Sequence, residues 1–471
     1  MRRITGAMPV LLVGCALLGC AKSPASPGSG GHPGSGGQGS GGQGSGGAGT
    51  GGTGGKPAGS GGASADSGVD DAIGGTAPSD GGGGGGPGGA NVPDGSAGEG
   101  GQGAQPDAGN SPGLAMNDVT ILTPLPSSGD TPVLMFGTEL ADDGTALLPR
   151  ALFDRLVTSS AGGSPLLSDR TYGALQLIAV RFDLCDRHLP GECPSEEDGR
   201  LRLVFQPVSS LRGEAQDVGF HAFFAIRNNE LADALAALRA LASLASAQAG
   251  PLGVSTALSA ADRDAYASGL RAFVKRFGGE GRLVRLTMLA QPETSEQVRW
   301  TLRGVEKRGS ALVDMTIVGS TVTTEDVALA GEGFDVLPKI DAPPGLMTAI
   351  VARTFYEADA TTKRQALGAL AEVENPLPNT QETIPCVGCH VSTHLTVLRA
   401  PSVPIEPLSI PGRYTSPYDL SVAGGMSQTS TSVRALGYLN KTPLISQRVV
   451  NETAQVLTEI GKRYPVAQNS K

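Results

Sequence analysis

Residues 219–247 read GFHAFFAIRNNELADALAALRALASLASA, and this stretch contains two different hydrophobic periods. In residues 219–226 an aromatic or aliphatic side chain occupies every second position, which predicts a strand with His221 and Phe223 on its opposite face. Residues 229–247 carry leucine every three or four positions on a helix-favouring background, which predicts a core helix. A strand followed directly by a helix therefore organises this part of the chain.

Segments of similar character flank this pair on both sides. Strands are expected at residues 118–122, 175–182, 200–206, 282–289, 297–304 and 311–318, and a second helix at residues 259–277. Strands, then helices, then strands again fit an α+β domain better than a regular alternation of strand and helix. We place this domain at residues 115–341 and expect His221 to be a surface or satisfied core residue rather than a ligand.

The chain begins with features of an export signal. Arg2 and Arg3 precede an apolar run at residues 8–18, which is too short to span a bilayer. The run ends in Leu-Leu-Gly-Cys at residues 17–20, which resembles the lipobox of bacterial lipoproteins. This resemblance implies a signal peptide at residues 1–19, acylation of Cys20 and, from the following Ala21, an outer-membrane location in the cell envelope, on its periplasmic or surface face. An ordinary secretory signal is the alternative.

Residues 20–114 consist mainly of Gly, Ser, Ala, Pro and Asp, and most of the 70 glycines of the chain lie here. Such a composition cannot bury enough apolar surface to offset about 1 to 2 kcal/mol of backbone entropy per ordered residue. We therefore predict a disordered tether that holds the folded region away from the membrane. Low-complexity sequence without a specific role is the alternative.

The composition restricts the classes of partner. The formal net charge is −9, so an acidic surface argues against nucleic acid and against anionic lipid headgroups as ligands. The expected partners are the membrane, through the lipid on Cys20, and a redox partner protein. Whether the protein is an enzyme stays open at this point, although the sequence contains no GxSxG, HExxH, Walker or dinucleotide-binding pattern.

Cys185 and Cys193 bracket a short polar loop in the α+β domain. In an oxidising envelope, two cysteines separated by a polar loop predict a disulfide. A metal site that uses both thiols together with His188 is the alternative.

The second pair of thiols is followed by an imidazole, in Cys386-Val387-Gly388-Cys389-His390. This CxxCH pattern allows haem to be attached through both thiols while the histidine binds the iron. The chain has six cysteines in all, so a chance CxxCH is improbable. We therefore predict one covalent haem c, held by Cys386 and Cys389 and ligated by His390.

The surrounding region, residues 342–471, contains predicted helices at residues 347–374, interrupted near 359–362, and at residues 445–464. A helix, CxxCH, a loop with a methionine and a closing helix together resemble a monohaem cytochrome c domain. The resemblance implies a small, mainly α, haem-binding region that serves electron transfer or redox sensing, with Met426 as the sixth iron ligand. His394 follows His390 by four residues, so on a helix both rings would lie on the same side of the iron.

Two other interpretations of the motif stay open. Cys386, Cys389, His390 and His394 are all good zinc ligands, although the two ligand pairs of a zinc finger are usually farther apart. A Cys386–Cys389 disulfide is the other alternative. With either, the protein would be a surface or structural lipoprotein that mediates interactions.

Overall fold

The structure is a computed structural model, and it describes residues 113–129, 131–158, 166–185, 193–245, 252–260, 263–291, 298–337, 339–403, 410, 412–416 and 433–465. Cys20, His188 and Met426 lie outside these residues, as does almost all of the predicted tether. The described residues belong to one compact unit, Ala97–Lys471. None of the helices among them combines the length and the apolar character needed to cross a bilayer.

The described helices and strands are as follows. The α-helices are α1 Met116–Val119, α2 Arg150–Val157, α3 Asp169–Gly173, α4 Leu231–Leu244, α5 Arg263–Phe277, α6 Pro344–Ile350, α7 Ala352–Glu357, α8 Ala360–Val373, α9 Cys386–Arg399 and α10 Gln447–Arg463, with single 3-10 turns at Glu280–Arg282 and Ala400–Ser402. The strands are β1 Thr120–Leu122, β2 Leu175–Leu184, β3 Glu197–Pro207, β4 Val218–Arg227, β5 Leu283–Ala290, β6 Arg299–Arg308, β7 Ala311–Asp314, β8 Thr324–Ala330, β9 Gly333–Leu337, β10 Leu436–Leu439 and β11 Thr442–Ile445.

An antiparallel sheet forms the centre of the described region. Its strands lie in the order β1-β2-β3-β4-β5-β6-β8-β9, and β7 pairs with β6 beside this path. The even-numbered side chains of β4 pack in the main core together with leucines of α4 and α5. The odd-numbered side chains therefore face the opposite side of the sheet, towards the C-terminal helices.

The predicted α+β class is confirmed for the described region. The strands predicted around residues 175–226 and 282–304 and the helices predicted from 229 and 259 are present, with bounds shifted by a few residues. The alternation predicted for β4 is also confirmed, since Phe220 and Phe224 are fully buried in the core.

Some predicted elements differ from the structure. Residues 118–122 were predicted as one strand, but a helical turn precedes β1 because the Ala115 N–H donates to Asp118 Oδ2 at 2.7 Å. The helix predicted at 347–374 is divided into α6, α7 and α8. The second division coincides with the predicted interruption, where the side chain of Asp359 accepts the N–H of Thr362 and caps α8. Strands β8 to β11 lie in segments for which the sequence analysis predicts no strand.

The C-terminal helix α10 packs against the sheet. Val449 and Leu457 of α10 belong to the same hydrophobic cluster as the residues of β2 and β4. The hydroxyls of Thr120 in β1 and Thr453 in α10 are hydrogen-bonded at 2.8 Å. Residues 115–341 and 342–471 therefore share one hydrophobic core.

The predicted disulfide between Cys185 and Cys193 is present. It joins the end of β2 to the segment that leads into β3, at the side of the sheet covered by α10. Arg463 of α10 donates to the carbonyl of Cys185 at 3.2 Å. The crosslink thus lies where the C-terminal helix meets the sheet.

A buried ionic network also joins α10 to the sheet. Glu452 of α10 contacts Arg448 on the same helix and Arg181 of β2, each with a nitrogen–oxygen distance of 2.7 Å. Burial opposes ionisation of Glu452, but Arg448, Arg181 and Arg202 together lower its pKa to about 2. The carboxylate is therefore charged at neutral pH and balances several buried guanidinium groups.

We predict that Glu452→Gln lowers the free energy of unfolding by about 3 to 5 kcal/mol, because it removes the acidic partner of buried Arg448 and one of the two acidic partners of buried Arg181. Urea denaturation of the purified protein at pH 7 measures this change. Glu357→Gln is the control, since that carboxylate lies in an exposed i,i+4 pair with Arg353 and should contribute less than about 0.5 kcal/mol. Equal effects of the two substitutions would contradict the role assigned to the network.

Candidate functional site

The CxxCH motif forms the first turn of α9. Pro385, at the N-cap, has the extended backbone that precedes a helix, and Cys386, Cys389 and His390 follow on one side of the first turn. Val387 points into the core behind the helix and is fully buried. A Cβ on Gly388 would lie 3.0 Å from Ile384 and 3.1 Å from Leu346, so the glycine lets the helix pack closely against α6.

One hydrogen bond fixes the orientation of His390. Its Nδ1 lies 2.7 Å from the carbonyl oxygen of Val433, which leaves Nε2 available for another partner. Burial, followed by the positive charge of Arg434, lowers the pKa of His390 to about 4, although the Val433 carbonyl opposes this shift. The imidazole is therefore neutral at physiological pH, which is the form that binds metal ions, and Nδ1–H to carbonyl is the usual hydrogen bond of a metal-binding histidine.

Cys386, Cys389 and His390 line a cavity between α9 and the sheet. The cavity has a volume of about 110 Å³ and is open to solvent at its mouth. Its apolar lining comes from three parts of the fold: Phe223 and Leu289 of the sheet, Ile384 before α9, and Val449 of α10. This mixture of apolar and polar walls is typical of a site for a cofactor or a small ligand.

Three of the four buried arginines around the cavity give it a basic wall. Arg202 of β3 and Arg285 of β5 lie in register on either side of Phe223, and Arg448 extends from α10. All three have partners: Arg202 pairs with Asp183, Arg285 with Glu382 and Arg448 with Glu452. Nevertheless the buried Nε of Arg285 has no hydrogen-bond partner among the described residues. The wall can therefore accept an anionic group.

His221 lies on the sheet wall of the same cavity. It is half-buried in β4, in register with Val204 of β3 and Thr287 of β5. Desolvation, followed by the charges of Arg202, His390 and Arg434, lowers its pKa well below the usual value. The sequence prediction gave the correct face of the strand but treated His221 as an isolated residue, whereas it shares a cavity with His390.

Two methionines also border the cavity. Met288 lies on the other face of β5, where it is buried in the main core. Met315 follows β7, and its sulfur lies over Gly304, where a Cβ would be only 2.5 Å away. Met426, the sixth ligand implied by the resemblance, lies outside the described residues, so that assignment stays a prediction.

The four residues considered for zinc do not all face the cavity. The ring of His394 packs against Phe334, with 5.8 Å between ring centroids, and it does not line the cavity. Cys386 and Cys389 are free thiols, and burial raises the pKa of both. Within the described part of the chain, only Cys185, Cys193 and Glu197 bring three possible ligand atoms within 4.8 Å of one another, and the two sulfurs of that group form the disulfide.

A buried carboxylate holds the first turn of α9 against the sheet. Glu325 of β8 is fully buried, and its Oε2 accepts the N–H of Val387 at 2.9 Å. This bond satisfies one of the free N–H groups at the start of α9. Burial raises the pKa of Glu325 to about 7, although the hydrogen bond from Val387 opposes the shift. The charged form is therefore unfavourable in the folded protein.

Several of these residues were not identified from the sequence. Arg200 and Arg202 alternate along a strand that we predicted, which is a weak local signal for a charged strip on one face. Glu325 lies in a strand that we did not predict. Arg448 lines the cavity because α10 packs against the sheet, which no local pattern indicates.

Comparisons of the chain with family models, curated proteins and solved structures find no match.

We predict that Glu325→Gln makes stability less dependent on pH. Because folding raises the pKa of Glu325 from 4.5 to about 7, its protonated form supports the native state below pH 4.5, and this support is lost as pH rises through 7. The loss amounts to about 3 kcal/mol at 1.36 kcal/mol per pKa unit. Urea unfolding at pH 5 and pH 8 should show a larger decrease for the wild type than for the variant.

Glu280→Gln, which makes the same substitution at an exposed position, is the control and should follow the wild type. Parallel stability curves for the wild type and Glu325→Gln would show that Glu325 does not titrate in this range.

Proposed function

We propose that this protein is a c-type haem protein of the bacterial cell envelope, anchored through a lipid on Cys20, that transfers electrons or senses redox state. One haem is attached to Cys386 and Cys389, and His390 is the proximal iron ligand. The Gly/Ser-rich segment 20–114 separates the anchor from the folded region. The expected partner is another redox protein.

The orientation of His390 is the observation that carries this proposal. Its Nδ1 is occupied by the Val433 carbonyl at 2.7 Å, so Nε2 is the nitrogen left to bind iron. Both thiols of the motif line the same cavity as this ring. The first turn of α9 therefore presents both thiols and the imidazole to one cavity.

The chemistry of the cavity fits haem in two further respects. Its apolar residues suit the porphyrin, whereas Arg202, Arg285 and Arg448 suit the two propionates, which are carboxylates. The unsatisfied Nε of Arg285 is a donor that such a carboxylate can use. A bound haem would supply a one-electron iron couple, which is the chemistry that electron transfer requires.

The envelope location receives independent support from the Cys185–Cys193 disulfide, because such crosslinks persist in oxidising compartments. We favour electron transfer or sensing over catalysis because the sequence contains no recognisable acid–base pattern. Burial, followed by the charge of Arg202, also lowers the pKa of His221, so this imidazole is a poor proton donor at neutral pH.

We predict that the protein, produced in a strain competent for cytochrome c maturation, carries one covalent haem per chain. Intact mass and the pyridine haemochrome spectrum of the denatured protein measure the attachment. The double variant Cys386→Ala, Cys389→Ala should lose it completely. His394→Gln is the matched control, because this ring lies one turn farther along α9 and packs away from the cavity, so attachment should be unchanged. A colourless wild type with an oxidised Cys386–Cys389 pair would refute the proposal.

We also predict that Arg285→Gln lowers the reduction potential. Removing a positive charge favours the ferric state, which carries one more positive charge than the ferrous state. At a separation of about 10 Å and an effective dielectric constant of about 20, the interaction is about 1.7 kcal/mol, or on the order of 70 mV for one electron. Spectroelectrochemical titration measures the change. Arg285→Lys keeps the charge, so its reduction potential should be close to that of the wild type. If both variants have the wild-type potential, the charge of Arg285 does not act on the iron.

A further inference from the structure

The cavity has an imidazole on each of two opposing walls. His390 lies on α9, and His221 lies on β4 of the sheet that faces it. The two rings are close enough that the charge of His390 is among the influences that lower the pKa of His221. No feature of the sequence links these residues, because β4 belongs to the α+β region and α9 to the region after it.

The imidazole of His221 is poorly satisfied in its surroundings. Among the described residues its side chain makes no hydrogen bond and no ion pair, whereas the backbone of β4 at this position pairs with Val204 of β3 and Thr287 of β5. A polar ring that is shielded from solvent without a partner destabilises the fold. Its ring nitrogens are therefore available to a ligand in the cavity.

The other candidate ligands on the described residues are less suited. Met288 points to the opposite face of the sheet and is packed in the main core. His394 is packed against Phe334 outside the cavity. Met315 borders the cavity, but its sulfur lies over Gly304 of β6, two strands away from His221. Of these four residues, His221 is the one whose side chain lies on the cavity side of the central strands.

We propose that His221 is the second axial ligand of the haem iron, opposite His390. This inference rests on the proposed function, since it assigns a residue to the haem proposed above. It replaces the thioether of Met426 with a second imidazole, which gives a lower reduction potential than His and Met ligation. It also makes the haem a bridge between β4 and α9, so that ligation joins the two regions of the protein.

The test is the spin state of the ferric protein, measured by absorption and by electron paramagnetic resonance. The wild type should be low-spin, without the sulfur-to-iron band in the red that a methionine ligand produces. His221→Ala should become high-spin, and added imidazole should restore the low-spin signal. Met315→Leu and Met426→Ala are the matched controls and should keep the wild-type spectrum.

His221→Met provides a second measurement that does not depend on loss of signal. It should remain low-spin, gain the sulfur-to-iron band and increase in reduction potential. Retention of the wild-type spectrum by both His221 variants would overturn the ligand assignment while leaving the haem in place. A wild type without covalent haem would overturn the ligand assignment and the proposed function together, so the two failures are distinguishable.

Discussion

The alternation of side chains along β4 is the constraint on which the rest of this structure depends. With a period of two, the strand presents Phe220 and Phe224 to the main core and His221 and Phe223 to the cavity. A shift of one residue would exchange these sets and place the imidazole among α4 and α5. The large aromatic side chains on the core face therefore fix the register, and the register in turn fixes the cavity.

Buried carboxylates help to position the opposite wall of the cavity. Glu325 anchors the start of α9 to β8, and Glu452 anchors α10 to β2. These two carboxylates are buried but differ in charge. Arginines surround Glu452 and keep its pKa near 2, whereas burial without a close cation raises the pKa of Glu325 to about 7. Burial therefore accompanies opposite pKa shifts at the two carboxylates, because only Glu452 has arginines beside it.

Much of the fold can be predicted from local sequence, because the periods of two and of three to four are local properties. This applies to β2 to β6, α4, α5 and α10. Strand β8 was not predicted because the buried Glu325 interrupts its apolar pattern. In the candidate site, the CxxCH pattern identifies the chemistry, but the cavity opposite it does not follow from the motif. The cavity brings β4 and α9 to face each other although they are far apart in sequence, and no local sequence pattern predicts that pairing.

Helix α10 follows the CxxCH motif in the chain, and this order has a consequence for folding. Arg448, Val449 and Glu452 line the cavity, so its third wall exists only after α10 has been synthesised and has docked on the sheet. Until then Cys386 and Cys389 face an incomplete, open groove. A reagent that modifies these thiols therefore reaches them most easily before docking of α10 completes the enclosure.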